Sequence, residues 1–163
     1  MNTLSTQQIE DKIQSTFDAI QGKFTGNARE DTKAVLRLFG TLGDELDYGV
    51  CGLRELFENA WLFDLCWYSN TSDNRMLNLT LVMESEWSKK YGEIKYDFEK
   101  LLIAKAKFKV FVFQAKSQNV VSYLNELEKG IHIYQGGSVG EIYLLACYDY
   151  MTDEFEIRRV PGV

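Results

Sequence analysis

Three acidic residues occupy positions from which their carboxylates could act together. Glu84 and Glu86 are two residues apart in the alternating stretch 77–87, so both side chains lie on one face of a predicted strand, opposite its alternating Leu and Met residues. Asp64 lies in an earlier apolar run, 61–68, which is also typical of a strand. Burying a carboxylate without a partner is costly, so we expect a polar network or a bound cation around Asp64.

A group of carboxylates of this kind is suited to phosphodiester hydrolysis. Carboxylate oxygens bind Mg²⁺, and the ion polarises a phosphate and lowers the pKa of an attacking water. We therefore predict that Asp64, Glu84 and Glu86 converge on one point. The same pattern also fits two glutamates on a solvated sheet face and an aspartate that caps a turn, because a Glu-x-Glu pair alone is not specific.

Apolar spacing predicts two helices before these strands, at 5–21 and at about 31–46. In the second helix, Glu45 borders the apolar stripe, whereas the acids on either side of it point away. Glu45 is therefore a candidate to join the carboxylate group.

The remaining pattern predicts an α/β fold with a mixed central β-sheet flanked by helices. The first two strands are expected to pair as a hairpin, and the first helix after the meander is expected to bury the stem of Lys105. In chain order the predicted elements are strands at 54–57, 61–68 and 77–87, a helix at 93–107, a strand at 108–113, a helix at about 117–129 and strands at 141–148 and 154–160.

Length and composition predict one globular domain over 1–163, because the chain is 45% apolar and 26% charged. Its core is expected at about 32–113, followed by a C-terminal helix and two strands within 117–160. The first residues resemble no targeting signal and no run is apolar enough to cross a bilayer, so we expect a cytoplasmic protein without membrane contact. The three cysteines are far apart, which disfavours a disulfide framework or a zinc site.

The net charge of −6 argues against binding of nucleic acid by bulk electrostatics alone. It is compatible with a nuclease, because a site that holds divalent cations is itself acidic. Lysines concentrate between 89 and 109, and we predict that Lys89, Lys90 and Lys100 contact phosphates. The alternative for these lysines is a solvated helix face.

Over about residues 32–113 the sequence resembles the PD-(D/E)XK, or restriction-endonuclease-like, superfamily. That family has a helix, a three-strand meander, a helix and a strand, with an acid on the second strand and Glu-x-Lys on the third. Asp64 matches the first position and Glu84-Ser85-Glu86 the second. Glu86 replaces the usual lysine, but BamHI-type restriction enzymes also have Glu-x-Glu followed by Trp, as here at Trp87. The proline of the family name is absent before Asp64.

The resemblance implies a role for each candidate residue. Asp64 and Glu84 would hold Mg²⁺, with Mn²⁺ as a substitute, and Glu86 would act as a base or orient the water. Glu45 would be the additional acid that some members carry on the first helix. Other members move the lysine to the following helix, where Lys100 is the nearest candidate, although a helical wheel places it off the buried stripe.

The function implied is a Mg²⁺-dependent endonuclease that hydrolyses nucleic acid, with DNA favoured over RNA. Cutting both strands of a duplex with one site per chain usually requires two chains, so this function predicts a homodimer. The alternative is a catalytically inactive nuclease-fold module that binds or regulates protein partners.

Overall fold

A computed structural model of the chain describes residues 4–57 and 61–162. These residues form four helices and six strands. In chain order they are α1 (Thr6–Ile20), α2 (Ala28–Glu45), β1 (Gly49–Gly52), β2 (Leu65–Asn70), β3 (Met76–Glu86), α3 (Tyr91–Ile103), β4 (Phe108–Ala115), α4 (Ser117–Ile133), β5 (Ile142–Asp149) and β6 (Glu154–Pro161). No helix within the described residues is long and apolar enough to cross a membrane.

All six strands form one sheet in the order in which they occur along the chain. Strands β1, β2 and β3 form an antiparallel meander, whereas β3, β4 and β5 run parallel and β6 returns antiparallel to β5. Parallel neighbours need crossover connections, and α3 and α4 supply them. The predicted α/β class, a mixed sheet flanked by helices, is confirmed.

The helices cover the two faces of the sheet in two separate layers. Met83 and Val110 pack in the core formed with α1 and α2, whereas Val82 and Phe111 pack in the core formed with α3 and α4. This division follows from the period of two along a strand. Glu84 has the same parity as Val82 and therefore lies on the side of the sheet that α3 covers.

The first strand of the meander differs from the prediction. Residues 54–57 are not a strand; instead Gly49–Gly52, a segment outside the predicted strands, forms β1 and pairs with β2. Both glycines permit close approach, because a Cβ at Gly49 would lie 2.5 Å from the Tyr68 ring and a Cβ at Gly52 would overlap the carbonyl oxygen of Asp64. This edge strand therefore forms because its two glycines lack side chains, and not because it carries an apolar pattern.

The strands around the candidate acids also differ in detail. Strand β2 begins at Leu65, so Asp64 immediately precedes the strand instead of lying inside it. The pairing of β3 with β2 is irregular. Trp67 lies opposite Leu81, but the next residue, Tyr68, lies opposite Leu79, so one residue of β3 is skipped. Leu79 consequently packs on the α3 and α4 side, so the predicted uniform alternation holds only from Leu81 onwards.

Helix α3 ends at Ile103, four residues earlier than predicted, and Lys105 is exposed. The expected inward stem of Lys105 is therefore wrong. The lysine buried in this region is Lys109, whose Nζ donates to Glu141 Oε2 at 2.7 Å and to Tyr143 Oη at 2.9 Å. Burial lowers the pKa of Lys109, while the Glu141 carboxylate opposes that change.

Candidate active site

Asp64 and Glu84 meet where the meander turns at the carboxyl end of β3. Strand β2 runs antiparallel to β3 with Leu65 opposite Met83, so the preceding Asp64 stands opposite Glu84. Asp64 Oδ2 accepts a hydrogen bond from the backbone N–H of Ser85 at 2.9 Å. The two acids that the motif spacing singled out are therefore neighbours across the strand pair.

The backbone of Asp64 is fixed by β1. Its carbonyl oxygen accepts a hydrogen bond from the N–H of Leu53 at 2.9 Å, and the backbone of Gly52 lies directly against it. Any side chain at position 52 would occupy the place of that carbonyl oxygen. The short glycine-flanked strand thus holds the first acid of the site in position.

Helix α3 contributes a cation to the same point. Lys100 Nζ lies 2.7 Å from Glu84 Oε2 and 2.9 Å from Asp97 Oδ1, which is one helical turn earlier. The Glu84 side chain is only 3% exposed, whereas that of Lys100 is 39% exposed. The ammonium group therefore lies between a buried carboxylate and solvent.

Glu84 is the most perturbed acid of the site. Burial and then repulsion by Asp64 raise its pKa from 4.5 to about 7, and the hydrogen bond with Lys100 only partly offsets these effects. Its second oxygen, Oε1, is buried and has no hydrogen-bond partner among the described residues. A buried acceptor of this kind is unusual and often marks the place of a missing ion or water.

The pKa values of Asp64 and Lys100 are shifted in ways that fit this arrangement. Burial raises the pKa of Asp64, although the hydrogen bond from the Ser85 N–H and the charge of Lys100 lower it. Burial also acts against the charge of Lys100, but hydrogen bonds to Asp97 and Glu84 outweigh it and raise the pKa of the lysine. Lys100 is thus an ammonium donor at neutral pH and not a base.

Glu86 points to a different set of partners. Its Oε1 accepts a hydrogen bond from the N–H of Ser88 at 2.6 Å, and its carboxyl lies within hydrogen-bonding reach of Asp97. Burial, followed by this contact with Asp97, raises the pKa of Glu86. Across residues 4–57 and 61–162, no three Asp, Glu, His or Cys side chains are grouped so that they could hold a metal ion. The structure therefore does not place Asp64, Glu84 and Glu86 in the single group that the sequence predicted.

The other three residues predicted from the sequence, Glu45, Lys90 and Lys89, contact other parts of the structure. Glu45 is exposed at the end of α2, in a groove that α1 and α2 form, so the structure does not bring it to the acids. Lys90 is exposed and lies 3.5 Å from Glu93 in the first turn of α3. Lys89 Nζ stands 4.8 Å from the centre of the Tyr150 ring, at the end of β5.

Sequence reasoning missed Asp97 and did not show which acids Lys100 contacts. The spacing of Asp97 and Lys100 was a usable signal, because an acid and a lysine three residues apart on a helix face the same side. The helical wheel placed Lys100 outside the buried stripe, which is correct for its Cα. Its long side chain nevertheless reaches back over that stripe to Glu84.

No protein-family model, curated protein or solved structure matches this chain significantly. What the chain does is therefore inferred from the chemistry of its own site rather than from its fold.

Proposed function

We propose that the chain is a Mg²⁺-dependent endonuclease that hydrolyses phosphodiester bonds in nucleic acid, DNA in preference to RNA. The observation that carries this proposal is the convergence of Asp64, Glu84 and Lys100 at one edge of the sheet, where a buried oxygen of Glu84 has no hydrogen-bond partner among the described residues. The resemblance to the PD-(D/E)XK superfamily implies two acids and a lysine. Here α3 would supply the lysine that Glu86 replaces on β3.

The acids present fit Mg²⁺. This ion is commonly bound through one or two protein carboxylates, and water and substrate phosphate complete its coordination. Asp64 and Glu84 would hold it, and the unpartnered Oε1 of Glu84 is an oxygen that no described residue uses. When bound, Mg²⁺ supplies Lewis-acid polarisation of the phosphate and acidifies a water.

The other groups of the site have separate tasks. The Ser85 N–H holds one oxygen of Asp64, and Lys100 holds one oxygen of Glu84, so both acids are oriented before substrate arrives. The protonated Lys100 faces solvent on its outer side and donates to a phosphoryl oxygen as negative charge develops there. Glu86 lies beside the site, where burial and the neighbouring Asp97 raise the pKa of its carboxyl.

A catalytically inactive module with the same fold, acting through protein partners, is the second candidate. One observation favours it, because Lys100 already neutralises Glu84 as a bound cation would. In that case the ion pair is purely structural, and divalent metal has no effect on the protein.

Calorimetric titration with Mn²⁺ and cleavage assays separate the two functions. Wild type should bind Mn²⁺ and cut DNA in a metal-dependent manner, whereas Asp64→Asn and Glu84→Gln should lose both properties. Glu45→Gln removes an exposed acid away from the site and serves as the matched control. If millimolar Mn²⁺ gives wild type neither a heat of binding nor cleavage of duplex, single-stranded DNA or RNA, the inactive module replaces the nuclease.

The oligomeric state refines the same proposal. With one site per chain, double-strand cleavage requires a homodimer, and a strict monomer would be restricted to nicking or single-strand cleavage. Light scattering with and without duplex DNA distinguishes these cases.

A further inference from the structure

A cavity of about 330 Å³ opens beside the ends of β4 and β5. Its lining is unlike the rest of this acidic chain, which has 24 Asp and Glu residues against 18 Lys and Arg. Among the described residues, no acidic side chain lines it. The polar and aromatic side chains around it are Lys89, Lys116, Gln118, Asn119, Tyr123 and Tyr150.

The two lysines of this cavity are not neutralised by the described residues around them. Neither ammonium group forms an ion pair with a described residue, although both lysines of α3, Lys95 and Lys100, do. Lys116 stands at the position that precedes the first turn of α4, where Ser, Thr, Asp or Asn is favoured and a cation is disfavoured by the helix dipole. The helix end therefore does not explain the charge of Lys116, while Lys89 is held over the Tyr150 ring, which also lines the cavity.

The cavity lies on the same edge of the sheet as the candidate active site. Lys89 follows the end of β3 by three residues, and Lys116 comes directly after β4. Because β3, β4 and β5 are parallel, their carboxyl ends share one edge. Glu84 lies opposite Phe111, four residues before Ala115 of the cavity lining, so the cavity lies roughly 13 Å further along the strands and one or two strands to the side.

We propose that this cavity binds a phosphate group of the nucleic-acid backbone near the bond that is cleaved. The inference rests on the proposed function and names the part of the substrate that the second site holds. Lys89 and Lys116 supply the charge, and the side-chain amides of Gln118 and Asn119 supply further donors. The charge comes from the side chains and does not depend on the helix end.

The acidic site and the basic cavity then have different roles in binding nucleic acid. The acidic site repels a phosphate until a cation is bound, so it cannot attract nucleic acid by itself. A basic cavity one or two strands away supplies that attraction without metal. Binding in the absence of metal should therefore depend on Lys89 and Lys116, and not on Glu84.

The salt dependence of binding tests this proposal. A labelled DNA duplex is titrated with the protein in EDTA at several salt concentrations. The Lys89→Ala/Lys116→Ala double variant should flatten the slope of log K against log salt by about 0.9, the value for one phosphate contact. The control is Lys105→Ala/Lys129→Ala, which removes two exposed lysines beyond the start of β4 and near the end of α4, at the opposite edge of the sheet. It should leave the slope unchanged.

Two further variants separate failure of this proposal from failure of the nuclease proposal. Lys89→Arg/Lys116→Arg keeps both charges and should keep the wild-type slope, and Glu84→Gln should keep binding in EDTA while losing the response to Mn²⁺. An equal change of slope in the alanine variant and its control would overturn the cavity assignment even if the protein cuts DNA. A heat of binding for inorganic phosphate, with no binding of duplex or single-stranded oligonucleotides, would overturn the assignment to nucleic acid. The expected slopes without any cleavage would uphold the cavity and refute the nuclease.

Discussion

Replacement of Glu84 by Gln should stabilise the metal-free protein at neutral and alkaline pH. The Glu84 carboxyl is buried and its pKa is raised from 4.5 to about 7 by burial and by Asp64. The folded protein therefore binds this proton more tightly than the unfolded chain does. Below pH 4.5 both states are protonated and Glu84 has no effect. Between pH 4.5 and 7 the unfolded chain ionises first, so the free energy of unfolding falls, and above pH 7 the loss is constant.

The size of the effect follows from the same rise in pKa. An increase from 4.5 to about 7 corresponds to about 3 kcal/mol, at about 1.4 kcal/mol per pKa unit. The attraction of Lys100 is already included, because it is one of the contributions to that pKa. Gln has the same shape and can still accept a hydrogen bond from Lys100, so little packing is lost.

Urea unfolding at pH 4, 5, 6, 7 and 8 measures this difference. The free energy of unfolding of Glu84→Gln minus that of wild type should grow by about 3 kcal/mol between pH 4 and pH 8. The Glu45→Gln control should stay parallel to wild type. Parallel curves for Glu84→Gln as well would refute the conclusion that the ionised Glu84 carboxylate lowers the free energy of unfolding.

Other predictions concern the neighbours of Glu84. Mn²⁺ at 100 times its dissociation constant should stabilise wild type by about 2.7 kcal/mol in thermal unfolding and leave Asp64→Asn unchanged; equal shifts in both proteins would place the metal elsewhere. Gly52→Ala should lower stability by about 2 kcal/mol in urea unfolding, because the new methyl group meets the Asp64 carbonyl, and it should weaken Mn²⁺ binding in calorimetry. Lys100→Met should lower kcat about 100-fold through loss of a donor, with partial recovery in Lys100→Arg. The same Lys100→Met change should destabilise the metal-free protein by about 1–3 kcal/mol in urea, because Glu84 Oε2 loses its hydrogen bond.

Most of the fold could be predicted because its strands and helices carry strong apolar patterns. Buried strands such as Ile142–Asp149 read as nearly continuous apolar runs, and α1 shows a single apolar stripe. Strand β1 was not predicted from the sequence, because its pairing depends on the absence of side chains at Gly49 and Gly52. A hydrophobic pattern contains no signal for an element of that kind.

The candidate site was predictable only where backbone spacing decides the outcome. Asp64 and Glu84 meet because adjacent antiparallel strands bring them into register. The position of a long side chain is set by contacts beyond its own element, which is why a helical wheel did not show that Lys100 reaches Glu84. Glu86 shares a strand face with Glu84 but turns to Ser88 and Asp97, neighbours that become visible only once α3 is placed over the sheet.

The contact between Lys100 and Glu84 is compatible with both proposed functions, but it predicts different behaviour when it is broken. Glu84 has two oxygens with different surroundings, since Oε2 accepts from Lys100 and Oε1 has no partner among the described residues. A cation can therefore bind at Oε1 while the lysine stays in place. In a nuclease, Lys100→Met leaves the carboxylate short of positive charge, so Mn²⁺ should restore the lost stability. In an inactive module, no cation takes the place of the lysine, and the stability of Lys100→Met should be the same with and without Mn²⁺.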